Sequence, residues 1–216
     1  MKINIKKELI LVIATLIPLI YLAVVWNDLP NEIATHFNFE GEANGFSSKT
    51  SFAWLIGFMT VFVYFLLLII PFIDPKKRIQ EMGNKYNSLK LITLTLMSVV
   101  SVFMIYNAIS ENANPQIFML IMGIFFIVIG NYFQTTKQNY FMGIKTPWTL
   151  HSEAIWNKTH KISGKIWIIG GLIMCVTYLL LPFQYVKYIN ITILAIIVIH
   201  PFLYSYLLYR KEVKEL

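Results

Sequence analysis

Cysteine is nearly missing: the chain has one, Cys175, among 216 residues. A single thiol excludes an intrachain disulfide and any zinc site built from cysteines. Lying in an apolar run, it reads as a small buried hydrophobe. Charge is scarce too. Asp, Glu, Lys and Arg together make up 13% of the residues, against about 25% in soluble domains, and the mean hydropathy is +0.63. So little polar surface cannot cover a water-soluble core, which assigns the chain to the membrane class. Signature motifs are also lacking. There is no Gly-rich phosphate loop, no GxSxG, no HExxH and no carboxylate pair within an apolar run. Nothing in the motifs supports an enzyme, and no cofactor is required.

What is present is a series of long apolar runs. A helix needs about 20 apolar residues to cross a bilayer. Six runs qualify, at about 9–26, 52–73, 90–109, 116–133, 166–183 and 188–209, and none contains Asp, Glu, Lys or Arg apart from Lys90 at an edge. Each centrally placed charge would cost about 2.5–3.5 kcal/mol on insertion scales, so their absence is informative. The first run resembles a signal peptide, but it is too long for one and lacks a small-residue cleavage site, so it reads as a retained span.

Orientation follows from lysine and arginine. The N-terminal tail, the second and fourth connections and the C-terminal tail hold sixteen of the 18 Lys and Arg residues; Lys49 and Lys187 are the other two. Those four regions share one side of a six-span chain, so the positive-inside rule makes that side cytoplasmic. The net charge of +7 is then a topology signal, and direct nucleic-acid binding need not be invoked. The opposite side carries Asp28, Glu32, Glu40, Glu42 and Glu111. The expected fold is all-α: a single domain over 1–216, an integral membrane bundle of six transmembrane helices with both termini cytoplasmic. It has a long outer loop, 27–51, and a long cytoplasmic loop, 134–165. No internal repeat is evident, which counts against a transporter.

The outer loop holds Pro30, Gly41 and Gly45 and the turn-rich stretch "NFEGEANGF". Phe37, Phe39 and Phe46 suit a membrane surface. His36, Glu40 and Glu42 could bind a metal weakly or sense pH, or simply sit in water. In the inner loop, Gly143 and Pro147 signal a turn before a short helix, with Thr149 as its expected N-cap and Leu150–Ile162 as its length. Glu153, Trp156 and His160 would share one face of that helix. Three readings stay open here: an interfacial anchor, a partner-binding surface, and a catalytic or metal site using His151, Glu153 and His160. His200 is the one titratable side chain within a span, able to bond a carbonyl freed by Pro201.

The two loops together resemble the SdpI family of bacterial membrane proteins. Leu29, Pro30, Ile33, His36, Gly41, Gly45, Ser48 and Lys49 match the family's outer segment. The more specific match is Gly130, Asn131, Asn139, Gly143, Ile144, Lys145, Thr146, Pro147, Trp148, Thr149, Leu150, Trp156, Thr159, His160, Gly164 and Lys165. At position 145 the family often has Arg; Lys keeps the charge without the planar fork.

The resemblance implies a multi-pass protein of the bacterial cytoplasmic membrane that gives immunity to a secreted antimicrobial peptide toxin. It further implies a receptor role, in which the toxin-bound protein recruits a cytoplasmic ArsR-type (winged-helix) repressor to the lipid bilayer. On that reading the toxin meets His36, Phe37, Phe39, Glu40 and Glu42. The cytoplasmic partner meets a segment drawn from Asn139, Gly143, Lys145, Thr146, Pro147, Trp148, Thr149, His151, Glu153, Trp156, Lys158 and His160. Two rivals remain: a small transporter or channel lined by Gly130, Asn131 and His200, and a membrane enzyme using Glu153 and His160.

Overall fold

The computed structural model describes residues 5–38, 42–110, 114 and 116–214. Each of the six apolar runs is helical over most of its length. Four helical stretches are long and apolar enough to cross a membrane: Lys49–Ile73, Asn84–Ile109, Glu153–Leu180 and Phe183–Lys214. Two apolar helices are shorter, Glu8–Val24 and Ile117–Phe133. Their outward surfaces are greasy; Trp54, Phe72 and Leu180 are 76%, 70% and 73% exposed. That is a surface suited to lipid rather than water.

The chain divides into two compact units, Met1–Ile69 with Tyr86–Ile121, and Ile70–Lys85 with Met122–Leu216. In the first, α1 (Ile5–Val24) leads through a single 3-10 turn into two strands, β1 (Glu32–Phe37) and β2 (Ala43–Ser48). They pair antiparallel, Ile33 opposite Ser47 and Ala34 opposite Phe46, with the register broken around His36. The outer segment, expected as a loop, thus carries a pair of strands within a chain that is otherwise helical. Ile33 anchors it, buried among Leu22, Val25, Leu29, Phe52, Ile56 and Ile105. Ser48 ends β2 and caps α2 (Lys49–Gly57), its hydroxyl accepting the Ser51 N–H. A π-helical turn, Phe58–Phe62, joins α2 to α3 (Val63–Ile73).

Proline and buried charge are both accommodated. Pro71 lies inside α3 and has no N–H for the Leu67 carbonyl one turn earlier. The hydroxyl of the fully buried Tyr86, in α5 (Asn84–Ile109), donates to that carbonyl instead. Lys90, buried at the edge of its apolar run, is paired with Glu8 of α1. Such pairing is what a buried ammonium demands.

In the second unit, Asp74 accepts the Ile79 N–H at 2.8 Å, in the first turn of α4 (Arg78–Met82). Helices α6 (Ile117–Phe133) and α8 (Glu153–Leu180) meet through glycine. A Cβ on Gly130 would lie 2.7 Å from the Gly164 carbonyl oxygen, and one on Gly171 would lie 2.4 Å from that of Gly123. Backbone therefore packs on backbone, as small residues permit between membrane helices. The last helix, α9 (Phe183–Lys214), contains Pro201. The carbonyl that Pro201 leaves without its helical partner is Ile197, and the Trp167 indole N–H donates to it at 3.1 Å. His200, adjacent to the break, could bond such a carbonyl on the sequence reading. Its ring instead stacks on Tyr204 and reaches Ser163 at 3.4 Å.

Candidate functional site: the folded segment 134–160

The segment expected as a loop to 165 is ordered and short, because α8 begins at Glu153 and runs unbroken into its apolar part. The helix predicted over Leu150–Ile162 is replaced by two. A five-residue helix, α7 (Pro147–His151), is capped by Thr146, and Ser152 caps α8. Thr149 is therefore not the N-cap. It is the third residue of a capping box, with reciprocal bonds between the Thr146 and Thr149 hydroxyls and backbone N–H groups at 3.1 and 2.9 Å. Pro147 occupies the first helical position, where a missing N–H costs nothing.

Upstream of α7, buried Asn139 folds the chain. Its Oδ1 accepts from the Phe141 and Met142 N–H groups at 2.9 and 2.7 Å, and its Nδ2 donates to the Lys137 carbonyl. This side-chain turn leads into Gly143, whose φ of +100° is a conformation L side chains rarely adopt. A Cβ there would stand 2.6 Å from His160 Nε2 and 3.0 Å from the Trp156 ring. The next residue, Ile144, donates its N–H to His160 Nε2 at 2.9 Å.

His160 and Trp156 are the centre of the site. They are 1% and 0% exposed and their rings stack at 4.0 Å. The Trp156 indole N–H donates to the Thr136 carbonyl at 2.7 Å. His160 Nδ1 lies 2.9 Å from the Trp156 carbonyl. Because Nε2 accepts and Nδ1 must donate, these bonds specify one neutral tautomer. Both nitrogens are thereby occupied, which leaves His160 no lone pair for a metal or a substrate.

Gln138 ties the segment to the rest of its unit. Its amide donates to the Thr149 and Leu150 carbonyls at 2.8 and 3.0 Å, satisfying the end of α7. Its Oε1 accepts from Arg78 at 2.7 Å. Lys85 donates to the Thr135 carbonyl at 2.9 Å. Lys145 donates to the Tyr140 and Phe141 carbonyls, so its ammonium braces the loop.

The predicted residues therefore part into two groups. Asn139, Gly143, Thr146, Thr149, Trp156 and His160 converge into one internal network. Lys145, Pro147, His151, Glu153 and Lys158 stay exposed, and Trp148 is half-buried. Glu153 does not join the face of Trp156. His151, Glu153 and His160 do not converge either, and among the described residues no three His, Cys, Asp or Glu side chains gather to hold a metal. Of the channel candidates, Gly130 abuts the Gly164 backbone and faces no path.

In the hairpin, His36 and Phe37 are exposed, with His36 Nδ1 bonded to the Asn44 side chain at 2.5 Å. Glu42 is exposed and engages Asn38 by side chain and backbone. Phe39 and Glu40 lie outside the described residues. Sequence reasoning missed Gln138, Trp167, Gly171 and Ser205. Only the glycines left a readable signal, seven residues apart in each helix (123 to 130, 164 to 171).

Comparison with known proteins gives the same partition. Residues 135–205 match the SdpI/YfhL protein family, and residues 13–61 match a domain of unknown function (DUF1648). One match falls in each compact unit. The chain is 26% identical over 207 residues to the immunity protein SdpI of Bacillus subtilis (strain 168), covering 95% of this chain and 97% of that protein. No solved structure matches it significantly. The segment that closes around Gly143, Trp156 and His160 thus lies within the part of the chain that is similar to the SdpI/YfhL protein family.

Proposed function

We propose that this chain is a six-span immunity protein of the bacterial cytoplasmic membrane. It protects its cell from a secreted antimicrobial peptide and passes the signal to a cytoplasmic partner such as an ArsR-type repressor. The observation that carries this reading is the nearly end-to-end match to an immunity protein, 95% of one chain against 97% of the other. The lysine and arginine distribution puts the hairpin outside and residues 134–160 inside. The toxin then meets the hairpin and the lipid-facing helices first. Exposed His36 and Phe37 are the described hairpin residues it would reach, with Phe39, Glu40 and Glu42 beside them in sequence. His151, Glu153 and Lys158 are exposed on the segment presented to the partner, while the buried network beneath them keeps its shape.

The test is survival. The chain is expressed in a toxin-sensitive strain and challenged with a panel of membrane-active peptides. Protection against at least one is expected, and His36→Ala with Phe37→Ala should lower it while the amount of protein in the membrane holds. A strain no better protected than the empty control, against every peptide, sinks the proposal.

A further inference from the structure

The part of α9 beyond Pro201 lies along α7 as a strap. Ser205 Oγ is 3.1 Å from Thr146 Oγ1. The Tyr206 ring meets Trp148 with centroids 5.1 Å apart. Tyr209 meets His151 edge-on at 5.7 Å, and Glu212 accepts from the Ser152 hydroxyl at 3.3 Å. The contacts loosen toward the end: Ser205 is fully buried, Tyr206 is exposed, and every residue from 210 to 214 is exposed. The surface beneath does not depend on the strap for its shape. Its capping box, its Gln138 bonds and its His160 bond all come from outside α9.

The strap begins directly after Pro201, which interrupts the helix's own hydrogen bonding. Pro201 removes the backbone bond to the Ile197 carbonyl, which is where helices bend. The one donor the structure offers that carbonyl comes from another helix, the Trp167 indole at 3.1 Å. Trp167 is itself wedged between Phe126 and Phe133 of α6. A hinge whose missing bond is supplied by a side chain of a fixed helix is a hinge with a latch.

We propose that residues 202–214 are a hinged strap that gates the segment 146–152, with Pro201 as hinge and the Trp167–Ile197 hydrogen bond as latch. Lifting the strap uncovers Thr146 and Trp148. As regulation of partner access, this rests on reading 146–152 as a docking surface. The hinge and latch stand on geometry alone.

The experiment measures strap opening directly. Cys175 is replaced by Ala, and Ser205→Cys places a thiol where the strap is shut. The full chain in nanodiscs is reacted with a water-soluble maleimide, and the rate reports how often the strap lifts. Trp167→Phe keeps an aromatic ring and removes the N–H. Losing one hydrogen bond should raise the labelling rate about fivefold. Pro201→Ala restores the helix's own bond to Ile197, so it should slow labelling and abolish the effect of Trp167→Phe. That coupling separates a latch from mere packing, whose effects would add. Equal rates with and without the indole N–H, or the same increase in the Pro201→Ala background, overturns the proposal. If Trp167→Phe is poorly produced, Pro201→Ala alone decides, because an unchanged rate there also refutes the hinge. No toxin is needed, so a failed survival test defeats the immunity reading without touching this one.

Discussion

Three glycine-to-alanine substitutions separate the two demands made on Gly143. Gly57 lies in helical conformation with nothing within 4 Å of its Cβ position. Alanine there should stabilise by up to about 1 kcal/mol, the ordinary helix-propensity gain. Gly83 has a φ of +52° and also nothing within 4 Å, so alanine there costs only backbone strain, about 1–3 kcal/mol. Gly143 carries the same kind of strain at +100° and a Cβ that would sit 2.6 Å from His160 Nε2. The ring cannot retreat without giving up the Ile144 N–H. Leaving that buried donor unpaired adds about 1–3 kcal/mol, and overpacking against Trp156 adds about 1–3 kcal/mol more. Against a total stability of about 5–15 kcal/mol, Gly143→Ala should fall near the limit of folding. The assay is the fraction of fluorescently tagged, detergent-solubilised protein that stays monodisperse after heating, together with abundance in the membrane. The expected order is Gly57→Ala, wild type, Gly83→Ala, then Gly143→Ala well below. A Gly143→Ala protein as robust as Gly83→Ala would refute the steric half of this reasoning. One as robust as Gly57→Ala would refute both halves.

Tyr86→Phe should lower stability by about 1–3 kcal/mol, since the buried Leu67 carbonyl loses its donor; in a Pro71→Ala background the loss should shrink, read by the same heating assay. Gly171→Ala should destabilise the contact between α6 and α8 by about 1–3 kcal/mol or more, because the new methyl meets a backbone oxygen that cannot step aside; a neutral result in that assay would mean the two helices part freely. Reporter fusions at Asn44 should be extracellular and those at Asn157 intracellular; an extracellular signal at Asn157 would defeat the six-span topology.

Hydropathy made the helices legible because the solvent acts on every residue of a span. The runs at 52–73 and 188–209 appear as parts of longer helices, Lys49–Ile73 and Phe183–Lys214. The hairpin was hidden because Gly45, Asn44 and Gly41 dilute the alternating pattern of a strand. What holds it is the single inward residue Ile33 rather than a repeated face. At the site, Gly143, Trp156 and His160 were visible as residues, but not as one cluster. Their meeting depends on a positive-φ turn and on α8 starting at Glu153. Thr149 is the expected cap in sequence because both threonines satisfy the same local rule, and only the extended backbone of Thr146 and its bond from the Thr149 N–H tell them apart. The link from Trp167 to the Pro201 break was not legible for a similar reason, and His200 alone stood out. Adjacency in sequence put it near Pro201, whereas the carbonyl in need lies a turn earlier and faces α8.

The glycine contact between α6 and α8 also bears on how this sequence can drift. A contact between side chains can be repaired by changing its partner, so one loss is met by a second substitution. Gly123 against Gly171 and Gly130 against Gly164 offer no such remedy, since each abuts the other's backbone oxygen. Enlarging one can be accommodated only by moving a whole helix, and α8 carries Trp156 and His160 with it. Residues that touch nothing polar thus set how much variation the polar network can survive. Random mutagenesis scored for folded protein should find those four positions less permissive than Lys145 or Glu153, although the latter are the more chemically distinctive.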